Sequence, residues 1–120
     1  MAGGAESFPK RLRLRTRREF LRVQDKGAKV AVGPLLALAL PNTLGRTRLG
    51  LTVSTKVGGA VQRVRIRRHL RELFRKRKDE LPVGLDLVLV ARGSATEAGP
   101  EEFARSFGEV ARRLRGMKTS

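Results

Sequence analysis

The chain contains no cysteine. Disulfides and thiolate metal sites are therefore excluded, and a cytoplasmic setting is compatible and expected. It contains one histidine, His69, beside Arg68 and just before Leu70; on a basic helix such a residue reads more simply as a surface side chain than as a general base. No H-x-x-E-H pattern and no carboxylate cluster supplies metal ligands. Asp86 stands inside a strand pattern and Asp79-Glu80 at a helix end, and neither is spaced to pair with another acid. No apolar run approaches the roughly 18 residues of a spanning helix, and the opening MAGGAESFPK lacks the basic-then-apolar order of a signal peptide. Neither a membrane role nor catalysis by this chain alone is expected, and no catalytic or metal-binding residue is assigned.

Acidic residues are scarce as well: 11 Asp or Glu face 27 Lys or Arg, a net charge of +16. Residues 1–78 hold 21 of the cations against 4 acids, while residues 79–120 hold 6 against 7. Such a field costs self-repulsion in a folded chain, and a polyanionic partner explains why it is tolerated. Twenty of the cations are arginine, whose planar fork suits phosphate and whose guanidinium plane stacks on bases, which favours nucleic acid over lipid.

The 120 residues, 40% of them hydrophobic, fit one domain with a modest core. Residues 1–10 read as a mobile tail, 11–116 as a single RNA-binding domain and 117–120 as a C-terminal tail. TRREFLRVQDKG starts with a capping-box pair, Thr16 and Glu19, and stops at Gly27, predicting a helix over 16–26 with Phe20, Leu21 and Val23 inward. A short strand is possible at 29–32. Leu35–Leu40, with Pro34 and Pro41 at its ends, reads as a buried strand. In RLGLTVST, Leu49, Leu51 and Val53 alternate with Gly50, Thr52 and Ser54, a strand with one apolar and one small polar face. On pattern alone the polar face is solvent-exposed. LDLVLVAR (85–92) is another buried strand, and Phe103, Phe107, Val110 and Leu114 mark a last helix over 100–114. The order α-β-β-β-α-β-α implies an α/β (α+β) two-layer sandwich, with helices on one side of a small mixed sheet.

KVGGAVQRVRIRRHLRELFRKRK (56–78) carries ten Lys or Arg and one acid, Glu72. Ile66, Leu70, Leu73 and Phe74 form one helical stripe, and Arg67, Arg68, Arg71 and Arg75 gather on the other side. With almost no acids to pair with, those arginines fit a bound polyanion better than a solvated face. Gly58-Gly59 puts backbone N–H groups at the helix start, where anions are favoured, with Lys56, Arg63 and Arg65 close by. Val64 falls among the arginines, where a polar residue is expected. A second basic block, KRLRLRTRR (10–18), alternates Arg11, Arg13 and Arg15 with leucine before Arg17 and Arg18, suiting an extended arm as well as a helix start.

The run from Lys56 through Glu72 resembles the signature of the bacterial ribonuclease P protein subunit. RLRTRREFLRVQDKG, RLGLTVST and LDLVLVAR are similar to that family's first helix and the strands flanking its signature. The resemblance implies a left-handed β-α-β crossover, which the usual right-handed rule would not predict. It implies a protein cofactor to a catalytic RNA that removes the 5′ leader of precursor tRNA, with Mg2+ held by the RNA and no cofactor bound by the protein itself. The implied partners are RNase P RNA and precursor tRNA, in a 1:1 complex with a monomeric protein.

Matched position by position, Lys56, Arg63, Arg65, Arg67, Arg68, Arg71 and Arg75 are the implied RNase P RNA contacts. Phe20, Gln24, Leu38, Thr52, Ser54 and Val64 are the implied lining of a leader-binding cleft, which turns the polar strand face into a cleft floor. Arg11, Arg13, Arg15, Arg17 and Arg18 form the basic arm. Four positions depart from the family pattern: Val64 replaces an asparagine, Gly59 stands where asparagine is common, and Gln24 and Leu38 replace aromatics. Leader grip is then expected to rest on arginine and apolar contact more than on stacking and amide hydrogen bonds. The alternative is a ribosomal or chaperone-type RNA-binding protein with no processing role, which basicity and size fit equally well.

Overall fold

A computed structural model describes residues 9–117. Residues 10–12 form a 3-10 turn, followed by α1 (Arg17–Lys26), β1 (Ala28–Val32), β2 (Leu35–Pro41), β3 (Arg48–Thr52), α2 (Ala60–Arg77), β4 (Leu85–Ala91) and α3 (Pro100–Gly116). Most of both expected tails lies outside the described residues. The four strands form one mixed sheet in the order β1-β2-β4-β3. β1 and β2 are an antiparallel hairpin closed by Gly33-Pro34, with Gly33 at a left-handed φ of +53°, a conformation that favours glycine at the first turn position. β2 pairs antiparallel with β4, and β3 pairs parallel with β4. The parallel pair is joined through α2, as the β-α-β expectation required.

Alternation along the central strand divides the core. Leu85, Leu87 and Leu89 of β4 pack with Leu49, Phe74, Phe107, Val110 and Leu114, all buried. Ile66 and Leu70 of α2 meet Phe103 of α3 and Val53 in an adjoining cluster. Thus α2 and α3 cover one face of the sheet through the stripes read in the sequence. On the other face Val88 packs with Leu38, Leu14 and Val23 of α1. The expected placing of the helices on one side is corrected here: α1 forms a partial third layer. A strand buried on both faces needs such a layer, because Val88 is as apolar as its neighbours.

Within α1 the capping box is present, with Glu19 N–H donating to Thr16 Oγ1 at 3.2 Å and Thr16 N–H to Glu19 Oε1 at 3.1 Å. Val23 is fully buried, but Leu21 is 47% exposed. A ten-residue helix resting on a sheet has room inward for one stripe only, and Phe20 and Val23 occupy it.

Candidate RNA interface

Two basic surfaces and a groove emerge from this frame. On α2, Arg65, Arg68 and Arg71 are exposed, while Arg67 is half-buried. Lys56, in the turn before the helix, is also exposed. Arg63 folds back so that its Nε donates to Gly58 O at 3.2 Å. At the same end Gln62 Oε1 accepts from Gly59 N–H at 3.3 Å, so one donor of the helix start is taken. Arg75 is partly withdrawn, because its Nη2 lies 2.9 Å from Glu72 Oε1. The hydrogen bond from Arg75 is the main reason the Glu72 carboxyl sits below its usual range, and Lys76 at 3.8 Å adds to it. Arg77 is structural. It clamps Glu80 at 2.7 Å, donates to Ala104 O at 2.9 Å and lies 5.5 Å from the Phe107 ring centroid, locking the end of α2 to α3. His69 is half-buried and stacks on Phe103 with centroids 6.0 Å apart, which corrects its reading as a surface residue. Val64 is 49% exposed on the arginine-rich side, as the helical wheel required.

The second basic surface starts with the arm. Its alternation is used: Leu12 and Leu14 are buried, and Leu14 N–H donates to Leu49 O at 2.9 Å beside a parallel bridge from Arg13 to Leu49. The arm thereby covers part of the free edge of β3. Arg11 is exposed, Arg13 half-buried and Arg15 exposed. Arg15 N–H donates to Glu19 Oε1 at 2.7 Å. Beyond the arm, Arg17, Arg18, Arg22 and Lys26 flank exposed Leu21 on the outer face of α1.

Between α1 and the sheet lies the groove. Phe20 rests on Gly50: a methyl group at that glycine would come within 2.7 Å of the ring. Leu38, Val88 and Gly50 form one row across the sheet, and α1 covers it. Leu38 is only 4% exposed, so it supports the groove from below rather than lining an open floor. In the next row, Ala31 is exposed and Leu36, Val90 and Thr52 are partly buried. Gln24 and Ser54 are exposed nearby in sequence, Ser54 in the turn after β3, where its Oγ accepts from Lys56 N–H at 3.3 Å. Val64 shares a depression with Ala60, Val61, Arg65 and Arg68.

One residue was not singled out by sequence. Arg48 holds Asp86 through Nε to Oδ1 and Nη2 to Oδ2, each at 2.9 Å, and reaches Glu19 Oε2 with Nη1 at 3.0 Å. Asn42 Nδ2 donates to Asp86 Oδ1 at 2.8 Å. The nearly buried Asp86 thus receives a bidentate partner, which a buried carboxylate requires. Glu19 is held below its usual pKa first by the Arg15 N–H, with Thr16 and Arg48 contributing. Through Glu19 the cluster fixes the start of α1, and with it Phe20. The one available signal was a charged residue inside the apolar strand LDLVLVA.

Fold and charge together define a small α+β protein that presents cationic surfaces on either side of a sheet, one of them on the helix of a parallel β-α-β unit. The ribonuclease P family pattern matches residues 8–115. The ribonuclease P protein component of Desulfosudis oleivorans is 42% identical over 106 residues, 88% of each chain, and that of Thermotoga petrophila is 39% identical over 92 residues, 77% of this chain and 79% of its own. The solved RNase P protein of Thermotoga maritima superposes with a TM-score of 0.79 at 29% identity, covering 85% of this chain and 96% of that one. The chain belongs to the ribonuclease P protein family, whose role is maturation of tRNA 5′ ends, and it is a subunit of that endoribonuclease. The ribosomal or chaperone-type alternative finds no support in these matches.

Proposed function

We propose that the chain binds RNase P RNA through the outer face of α2 and holds the 5′ leader of precursor tRNA in the groove between α1 and the sheet. The observation that carries this reading is the separation of two kinds of surface. α2 offers exposed Arg65, Arg68 and Arg71 with a single acid, Glu72, that is already paired with Arg75, which suits backbone phosphates. The groove offers a half-buried phenylalanine over a glycine, a partly exposed row of small and apolar residues, and flanking polar groups, which suits single-stranded bases. The basic arm extends the cationic path along the edge of β3. In this reading the RNA performs the cleavage and holds the Mg2+, because a divalent cation is repelled by a protein surface of this charge. The complex is one protein to one RNA, in the cytoplasm. No helix among the described residues is long and apolar enough to cross a membrane, and the surface chemistry here is polyanion-directed.

Affinity measurements with the reconstituted enzyme test the leader groove. Phe20→Ala should weaken binding of precursor tRNA carrying a leader about tenfold, in line with the loss of one base-stacking contact, and leave mature tRNA unaffected. Equal losses on both would remove the leader from the groove.

A further inference from the structure

Val61 and Val64 are at odds with the rest of α2. They are 83% and 49% exposed, whereas Ile66, Leu70 and Phe74 are fully buried. Valine is a poor choice for a solvent-facing helical position, since its branched Cβ loses rotamer freedom against the preceding turn. Three residues apart, the two share one strip of the helix. With Ala60 and the stems of Arg65 and Arg68 they line a shallow depression of about 430 Å3. Arg65 and Arg68 are exposed and have no ion-pair partner among the described residues. Glu72, the one acid of the helix, is committed to Arg75 and Lys76.

An apolar floor with a wholly cationic rim narrows the choice of occupant. A second copy of the chain would bring arginines against arginines, each chain carrying +16. A lipid surface needs a broad apolar helix face, and the broad face of α2 is buried in the core. An RNA duplex offers phosphates but keeps its ring faces stacked inside. An unpaired nucleotide offers both a ring face and the phosphates on either side of it.

We propose that Val61 and Val64 seat the ring face of one unpaired nucleobase in the RNA lying along α2, with Arg65 and Arg68 on the phosphates that flank it. The inference rests on the reading of α2 as the RNase P RNA face and goes beyond it by specifying an unpaired nucleotide and an apolar contact. The place of Val64 among the arginines is thereby explained: the position supplies apolar contact where an amide would supply a hydrogen bond.

The test uses the full chain with RNase P RNA of Thermotoga maritima as the probe. V61A/V64A removes most of the apolar floor while raising helix propensity, so its thermal midpoint should be no lower than that of the unmodified chain. Its affinity should fall about five- to tenfold, the range expected for loss of one base contact, with the slope of log affinity against log salt unchanged. One unpaired nucleotide protected from dimethyl sulfate or carbodiimide by the unmodified protein should become reactive with the variant. R65Q/R68Q, in contrast, should lower both the affinity and the salt slope, the slope by about two. Unchanged affinity of V61A/V64A beside a weakened R65Q/R68Q overturns the base seat alone, as does a protection pattern identical to that of the unmodified chain. If both variants bind as the unmodified chain does, the reading of α2 as the RNA face fails with it.

Discussion

Asp86 is the residue on which the geometry of the groove depends. It is 4% exposed and is satisfied by Arg48 and Asn42. Removing one partner of such a pair strands a buried charge, a loss of about 3–5 kcal/mol. Arg48→Met should therefore lower the unfolding free energy in urea by about that amount, slightly less because Arg48 is itself 17% exposed at the side chain. Gly50 makes a second case. A methyl there would sit 2.7 Å from the Phe20 ring and 3.1 Å from Leu14, so Gly50→Ala must push Phe20 outward. Leader-dependent affinity should then fall while binding to mature tRNA and to RNase P RNA holds; a loss of RNA binding would show that the substitution disturbs α2 as well.

At the scale of elements, α2 separates its two duties cleanly. Arg67→Ala with Arg71→Ala should weaken RNase P RNA binding, reduce the salt slope by about two, and leave the unfolding midpoint nearly unchanged, since the core is reached through Ile66, Leu70 and Phe74 instead. A lowered midpoint would place those arginines in the fold. One part of the acid response lies in α1. Glu19 titrates below its usual value in the folded chain, so its contribution to stability is complete above about pH 4.5 and is lost as the pH falls through the lower folded value. Glu19→Gln should flatten that part of the acid limb in a urea titration across pH.

These elements show what sequence can and cannot convey. The stripes of α2 and α3, the Thr16 capping box and the four strands were legible because each is written in local spacing. The position of α1 was not, since nothing in TRREFLRVQDKG says which face of a sheet will receive Val23. The burial of Leu38 follows from that placement. Arg48 was invisible for a related reason: its partner Asp86 is 38 residues away and becomes its neighbour only when β3 and β4 pair in register. Arg77 was counted among many cations, and only the approach of α3 gives it Ala104 and Phe107.

At the scale of the whole molecule, charge and fold make one prediction together. Arg48 and Arg77 are committed to the fold, but Arg11, Arg15, Arg17, Arg18, Arg22, Arg65, Arg68 and Arg71 are exposed and remain available to an RNA backbone. With about six to ten phosphate contacts, affinity for RNase P RNA should fall a thousandfold or more between low and moderate salt. The measurement that bears most directly on the central claim is reconstitution. RNase P RNA from Thermotoga maritima is assayed for cleavage of precursor tRNA at a Mg2+ concentration too low for the RNA alone. Addition of equimolar protein should restore cleavage at the 5′ end of the mature tRNA, and the restored activity should be lost in Arg67→Ala/Arg71→Ala. If the chain binds the RNA without restoring cleavage there, or if it cleaves precursor tRNA without RNase P RNA present, the account of it as the protein cofactor of a catalytic RNA is contradicted.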